Sequence, residues 1–302
     1  MDTLLPTSDR AGIGSAGGPL RPGIGPVEGR KPLPTGAIVA PRPERRREFI
    51  PNSTLVGRTD LTPLISRFTV RPDAGVPPFR PGQYFSLGLQ IEGKLVLRPY
   101  STASPDGETQ SLEFLVRRVP GGTFTPALWQ VVPGNRVWIG PPKGLFTLQP
   151  DDTRTHLFVS SGTGIAPFIS MLDAVLRRPP TRSLDSTGRP LVVVAHGVSH
   201  ASELAYRDRL IALAAADPRF RYVPSVSRPD DPGNGTWMGR TGRVEANLAR
   251  TCGELMLEPA DTIAYLCGNP EMIERSEEVL CSLGFADDAV VSEHYWTAAG
   301  LS

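Results

Sequence analysis

The chain has 302 residues, about twice a typical domain of roughly 150, so two domains are expected. Hydrophobic residues make up 39% and charged residues 21%, with no apolar run of membrane-spanning length, which argues against a helical membrane protein. Lys and Arg number 32 against 31 Asp and Glu, and a net charge of +1 is too weak a field for a dedicated nucleic-acid binder. The three cysteines, Cys252, Cys267 and Cys281, are too few for a disulfide scaffold or for a cysteine-ligated iron–sulfur cluster. His196 and His200 are spaced like a zinc pair, but Gly197 follows where a zinc-protease helix would carry Glu, so no metal is expected.

In chain order, residues 1–50 read as a solvated arm. They hold eight Gly and eight Pro with almost no apolar periodicity, and no apolar core of about 7–15 residues that a secretory signal would need. From 51 to 149 short β-type segments alternate with turn residues: Thr54–Arg58, Ile65–Val70, Tyr84–Leu89, Leu95–Tyr100, Leu112–Arg117 and Arg136–Ile139. With one helical candidate, Pro126–Val132, they predict a small antiparallel β-barrel. From 150 to 302 apolar runs (His156–Ser160, Leu191–Ala195, Tyr222–Ser225, Ile263–Cys267) alternate with helical segments near 167–177, 202–215, 243–250 and 270–283. That rhythm predicts an α/β domain, a parallel sheet with helices on both faces. Gln149–Asp152 is the expected hinge.

Five motifs could carry chemistry, and each has a plainer reading beside it. Arg98-Pro99-Tyr100-Ser101 ends a strand; a guanidinium there suits a diphosphate and the ring suits stacking, though a surface Arg with a half-buried Tyr would look the same. Gly121-Gly122-Thr123-Phe124-Thr125 leads into a helix and allows close backbone approach, or is simply a loop capped by Thr125 with Pro126 at the first helical position. Gly162-Thr163-Gly164 lies between the first parallel strand and its helix, where cofactors are held, but tight turns also need glycine without any ligand. Cys267-Gly268-Asn269-Pro270 is a second such turn, functional or a buried cysteine before a well-capped helix. Glu293-His294-Tyr295-Trp296 places charged and aromatic residues near the end of the sequence, to pack the core or to cover a flat ligand.

Together and in this order the motifs resemble the ferredoxin–NADP(H) reductase family, in particular its bacterial, FAD-dependent members, over residues 53–296. The resemblance implies an FAD-binding barrel followed by a Rossmann-like NADP(H)-binding domain. It implies that Arg98 meets the FAD diphosphate, with Pro99 beside it in the motif. Tyr100 packs on the isoalloxazine and Ser101 hydrogen-bonds near its N5. Leu115 and Gly122, Thr123, Phe124 and Thr125 hold the rest of FAD, largely through backbone. Thr163 lies beside the flavin and the nicotinamide path, and Gly268 lets the cofactor approach the backbone. Cys267 and Glu293 join Ser101 as the catalytic set, and Tyr295 and Trp296 cover the flavin. Arg228 and Arg243 match the readers of the 2′-phosphate of NADP, while Ser199 stands where many bacterial relatives carry Arg.

The implied activity is hydride exchange with NADP(H) and single-electron exchange with an acidic ferredoxin or flavodoxin, in a cytoplasmic monomer. Arg supplies 29 of the 32 basic residues, which suits an Arg-rich docking rim. Two alternatives stand: the same fold feeding another acceptor (an oxygenase component, a haem protein or free flavin), and a non-enzymatic nucleotide- or oligonucleotide-binding module, which the balanced charge disfavours.

Overall fold

The computed structural model describes residues 50–177 and 190–295. The predicted arm up to residue 49, Trp296 and the 297–302 extension lie outside them.

The first half is a six-stranded, fully antiparallel sheet of β1 (Ser53–Thr62), β2 (Ile65–Pro72), β3 (Tyr84–Ile91), β4 (Lys94–Ser101), β5 (Leu112–Arg117) and β6 (Arg136–Ile139), in the order β4-β3-β6-β1-β2-β5. All six predicted strands are present. Alternate residues turn inward: Phe68 and Val70 of β2 are buried, while Arg67, Thr69 and Arg71, which alternate with them, are not. They meet Phe85, Leu87, Leu112 and Phe114 in a core that α1 (Phe124–Leu128) caps with Phe124 and Leu128.

The barrel expected from the sequence is not closed. Its two end strands, β4 and β5, meet at one isolated bridge, Thr102–Phe114, beside an Ala103 N–H that donates to Glu113 O at 2.9 Å. Edge position explains Pro99 in β4, because proline lacks the N–H that a further strand would use. The α1 helix also starts earlier than expected. Thr125 lies inside it instead of capping it, and its Oγ1 accepts from Val119 N–H at 2.9 Å.

The second half is a six-stranded parallel sheet of β7 (Thr155–Ser161), β8 (Val192–Val198), β9 (Phe220–Val226), β10 (Arg240–Thr241), β11 (Thr262–Gly268) and β12 (Val290–His294), in the order β10-β9-β8-β7-β11-β12. Strands β8 and β11 are buried along their whole length, as near-continuous apolar runs require in a sheet covered on both faces. The side chains divide by parity. Phe158, Ile263 and Tyr265 face α2 (Ala166–Arg177) and α3 (Arg207–Ala216), whereas Leu157, Val159, Ala264 and Leu266 face α4 (Leu248–Glu254) and α5 (Pro270–Ser282). The helix expected from 202 is split into a 3₁₀ turn at Ala201–Glu203 and α3, because Tyr206 between them is left-handed with φ 61°. The helix expected over 243–250 is a 3₁₀ turn at Glu245–Asn247 followed by α4. Short β10 and β12 were not read from the sequence.

One core joins the halves. Ile65, Leu115, Phe146 and Leu148 pack with Phe168, Met171 and Leu172 of α2, and Tyr265 Oη accepts from Gln149 N–H at 3.1 Å. Each large apolar side chain buried there contributes about 1.5–3 kcal/mol. The exposed Asp106–Arg177 pair across the same boundary adds about 0–1 kcal/mol. Apolar burial, not ion pairing, fixes the two sheets together.

Candidate active site

From β7 the chain runs outward through β8, β9 and β10, then returns to the other side of β7 for β11 and β12. The reversal leaves a crevice beyond the carboxyl ends of β7 and β11, the usual ligand position in such sheets. Its walls are the Gly162–Ile165 3₁₀ turn and the Cys267–Pro270 turn. These two turns touch. A Cβ on Gly164 would stand 2.2 Å from Cys267 O, and one on Gly268 (φ +142°) would stand 2.4 Å from Ser161 Oγ. Both glycines are therefore required by turn-to-turn packing, and the group that approaches Gly268 is Ser161. Asn269 caps α5, its Oδ1 accepting from Glu271 N–H at 2.8 Å, with Pro270 in the first turn.

Into this crevice the structure brings Ser101, Cys267, Glu293 and Tyr295. Ser101 is the last residue of β4 and is buried; its Oγ donates to Glu293 Oε2 at 3.2 Å. Cys267 lies beside Glu293 in the β11/β12 register. Tyr295 is anchored by its N–H to Gly268 O at 3.1 Å, and its side chain lies next to Ser101 and Cys267. Burial raises the Glu293 carboxyl to about 7, the Ser101 hydroxyl opposing the shift only in part. Burial, reinforced by the Glu293 charge, also lifts the Cys267 thiol well above its ordinary range, so it stays neutral. Tyr295 is raised for the same reasons, burial first. The cluster can hold a proton near neutral pH but offers no thiolate nucleophile.

A second feature adjoins it, the open seam between β4 and β5. On one side Arg98 and Pro99 are exposed and Tyr100 is half-buried, its ring 6.0 Å from that of Phe124. Burial pushes the Tyr100 phenol above its usual range. On the other side stand β5 and the Gly121–Thr125 loop, where Gly121 has φ +78° and a Cβ on Gly122 would press on Val119 O at 3.2 Å. The Leu115 side chain faces the shared core, so only its backbone is available to a ligand. Arg118 Nε is buried with no acceptor. Two unpaired strand edges, an exposed arginine and a leftover buried donor fit an elongated anionic cofactor such as FAD.

The remaining candidates follow successive strands. Ser199 follows β8, Arg228 follows β9 and Arg243 follows β10, so all three lie at the same end of the sheet. Buried Asn234, missed in the sequence, ties the first two: its Nδ2 donates to Ser199 O at 3.1 Å and Arg228 O at 2.8 Å. Arg243 is exposed, between Glu245 at 3.7 Å and Glu271 at 3.6 Å. Thr163 stands partly exposed in the first turn. Also missed were the groups joining the sheets at this end: Arg117 to Glu203 at 2.9 Å, and Tyr206 Oη donating to Glu113 Oε1 at 2.6 Å.

An antiparallel sheet with an open seam, abutting a parallel sheet with a crevice at its reversal point, is the architecture of a two-domain flavin and dinucleotide oxidoreductase. Residues 54–148 match the oxidoreductase FAD-binding domain and residues 158–278 the oxidoreductase NAD-binding domain. The chain is 33% identical over 229 residues to ferredoxin–NADP reductase B of Sorangium cellulosum, covering 74% of this chain and 88% of that protein. It is 29% identical over 243 residues to the terephthalate 1,2-dioxygenase reductase component 1 of a Comamonas species, covering 80% and 66%. The crystal structure of the Amycolatopsis cytochrome P450 reductase GcoB superposes with a TM-score of 0.69 at 28% identity, covering 81% of this chain and 69% of that one. The chain belongs to the ferredoxin–NADP(H) reductase family of flavin-dependent enzymes. Its cofactors are FAD and a nicotinamide dinucleotide.

Proposed function

We propose that the protein is a ferredoxin/flavodoxin–NADP(+) reductase, with residues 51–149 as the FAD-binding domain and 150–302 as the NADP(H)-binding domain. The observation that supports this most is the meeting of Ser101, from the first sheet, with Cys267, Glu293 and Tyr295, from the second, at the sheet's reversal point. Bound FAD supplies the hydride and one-electron chemistry, which protein side chains lack. The chain's own work is alignment and proton handling. Arg98 holds the diphosphate, and Tyr100 and Tyr295 flank the ring system. Gly122–Thr125 and the backbone of Leu115 line the remainder. Ser101 and Glu293 hold a proton between them, which Glu293 retains to about pH 7. Thr163 and Gly268 border the nicotinamide. Arg228 and Arg243 read the 2′-phosphate through paired hydrogen bonds, with Ser199 at their flank.

The acceptor we infer is a small acidic redox protein, bound weakly and in a salt-sensitive manner to the cytoplasmic monomer. No helix among the described residues is long and apolar enough to cross a membrane. A second reading, delivery of electrons to an oxygenase component or a haem protein, is favoured by the likeness to the dioxygenase reductase component and to the P450 reductase.

Anaerobic stopped-flow mixing of the purified yellow protein with NADPH or NADH tests the first step. We expect the flavin band to bleach at least about tenfold faster with NADPH, the selectivity that one bidentate arginine–phosphate contact provides. Equal bleaching by NADH would set aside the 2′-phosphate assignment and leave the fold and the flavin in place. Mixing the reduced protein with a ferredoxin or with a cytochrome then separates the two acceptor readings.

A further inference from the structure

Strand β8 reads Val-Val-Val-Ala and then places His196 in the middle of the sheet, fully buried between Ser160 of β7 and Pro224 of β9. A polar ring there costs stability unless both nitrogens are satisfied, and both are. Nε2 lies 3.0 Å from the carbonyl oxygen of Gly162 and Nδ1 lies 3.3 Å from the Tyr222 hydroxyl. A carbonyl only accepts, so Nε2 carries the proton, Nδ1 is bare and Tyr222 donates to it. Burial lowers the imidazole pKa to about 4, so the ring is uncharged at neutral pH.

Arg117 lies close to Gly162 on the first-sheet side. The Arg117 Nη2 of β5 stands 3.6 Å from where a Gly162 Cβ would be. The same nitrogen pairs with Glu203 Oε1 at 2.9 Å, and Glu203 Oε2 accepts from Ser199 N–H at 3.1 Å and His200 N–H at 3.2 Å. Two sets of hydrogen bonds therefore flank this turn, Tyr222–His196–Gly162 within the second sheet and Arg117–Glu203 to the turn after β8. The first reaches the crevice turn, and the second ties the edge of the first sheet to the Ser199 turn beside it.

We propose that His196 is a positioning residue: by donating to the Gly162 carbonyl it locks the Gly162–Ile165 turn in register with the parallel sheet, beside the Arg117–Glu203 pair. Its consequence for turnover rests on the reductase reading above; its effect on the turn does not. Displacing catalytic geometry by about 1 Å can slow an aligned reaction by about a hundredfold.

The test compares full-length His196→Phe, which fills the space without a donor, with His196→Gln, whose amide nitrogen can reach the same carbonyl. Amide hydrogen exchange is followed in the peptide covering residues 162–166, together with FAD content, single-turnover flavin reduction by NADPH, and reduction by dithionite, which needs no nicotinamide alignment. In His196→Phe we expect exchange in that peptide to rise about tenfold or more and NADPH reduction to slow about ten- to a hundredfold, with FAD content and dithionite reduction unchanged. His196→Gln should restore most of both losses. Wild-type exchange in His196→Phe, or no restoration by His196→Gln, overturns the proposal. Should His196→Phe fail to fold, Tyr222→Phe decides, because it removes the hydroxyl that keeps the ring proton on Nε2: faster exchange in the same peptide supports the lock, and unchanged exchange overturns it. A wild-type protein not reduced by NADPH or NADH would sink the reductase reading while the exchange data still judge the turn.

Discussion

The two sheets treat their exposed backbone in opposite ways. The parallel sheet buries β8 and β11 completely and presents ligands with turns at one end. The antiparallel sheet leaves β4 at its rim, with Leu95 and Leu97 each over a third exposed, and presents an open seam. Tolerance to substitution should therefore be low in the crevice turns and high along the seam, even where both carry motif residues.

The sharpest way to break this contrast is at the glycines. Gly164→Ala drives a methyl group into the Cys267 carbonyl, and we expect roughly 3 kcal/mol or more of lost stability, read as a fall in the urea midpoint. Gly121→Ala, in open space at φ +78°, should cost only about 1 kcal/mol. Equal costs would erase the distinction between the regions.

The next largest effect is a pH dependence. The His196 pKa is depressed in the fold from 6.5 to about 4, so as pH falls the unfolded chain takes the proton first. Stability is then lost between pH 6.5 and about 4, by roughly 3 kcal/mol in all, and His196→Phe should flatten that slope in urea titrations. Glu293 acts in the reverse sense: its folded pKa is raised from 4.5 to about 7, so it withdraws stability as pH rises through that window. Comparing variant with parent isolates the histidine.

Glu293→Gln tests the crevice chemistry. The parent's rate of NADPH-driven flavin reduction should decline above about pH 7, where the buried carboxyl gives up its proton. The variant should be slower by up to about a hundredfold and flat across that range. A retained inflection near 7 would assign the titration to another group. The smallest effect on stability belongs to the seam. Arg98 is exposed and its Nη1 bonds only the neighbouring Leu97 carbonyl, so Arg98→Ala should change the unfolding free energy from urea titration by less than about 0.5 kcal/mol while weakening FAD retention about tenfold.

Much of this layout was legible in the sequence because its signals are local. The six first-half strands followed from alternation between turn residues, and the crevice turns from glycines placed between an apolar run and a helix. What escaped was set by contacts distant in the chain. Nothing in Arg117 or Glu203 signals that they pair 86 positions apart. His196 read as half of a rejected metal pair, because a buried histidine and a ligand share a spelling. Barrel closure depends on whether β4 and β5 pair, and strand periodicity carries no information on partners. β12 was missed because Val290 and Val291 make too short an apolar run, although it sets Glu293 beside Cys267.

The seam has one more consequence. An unpaired strand rim with exposed leucines is a template on which another chain can build a strand. Whatever lies along β4 and β5 therefore acts as a guard as well as a reagent. Protein stripped of its flavin should grow into larger assemblies through that rim, and do so more slowly when Leu97 is replaced by lysine.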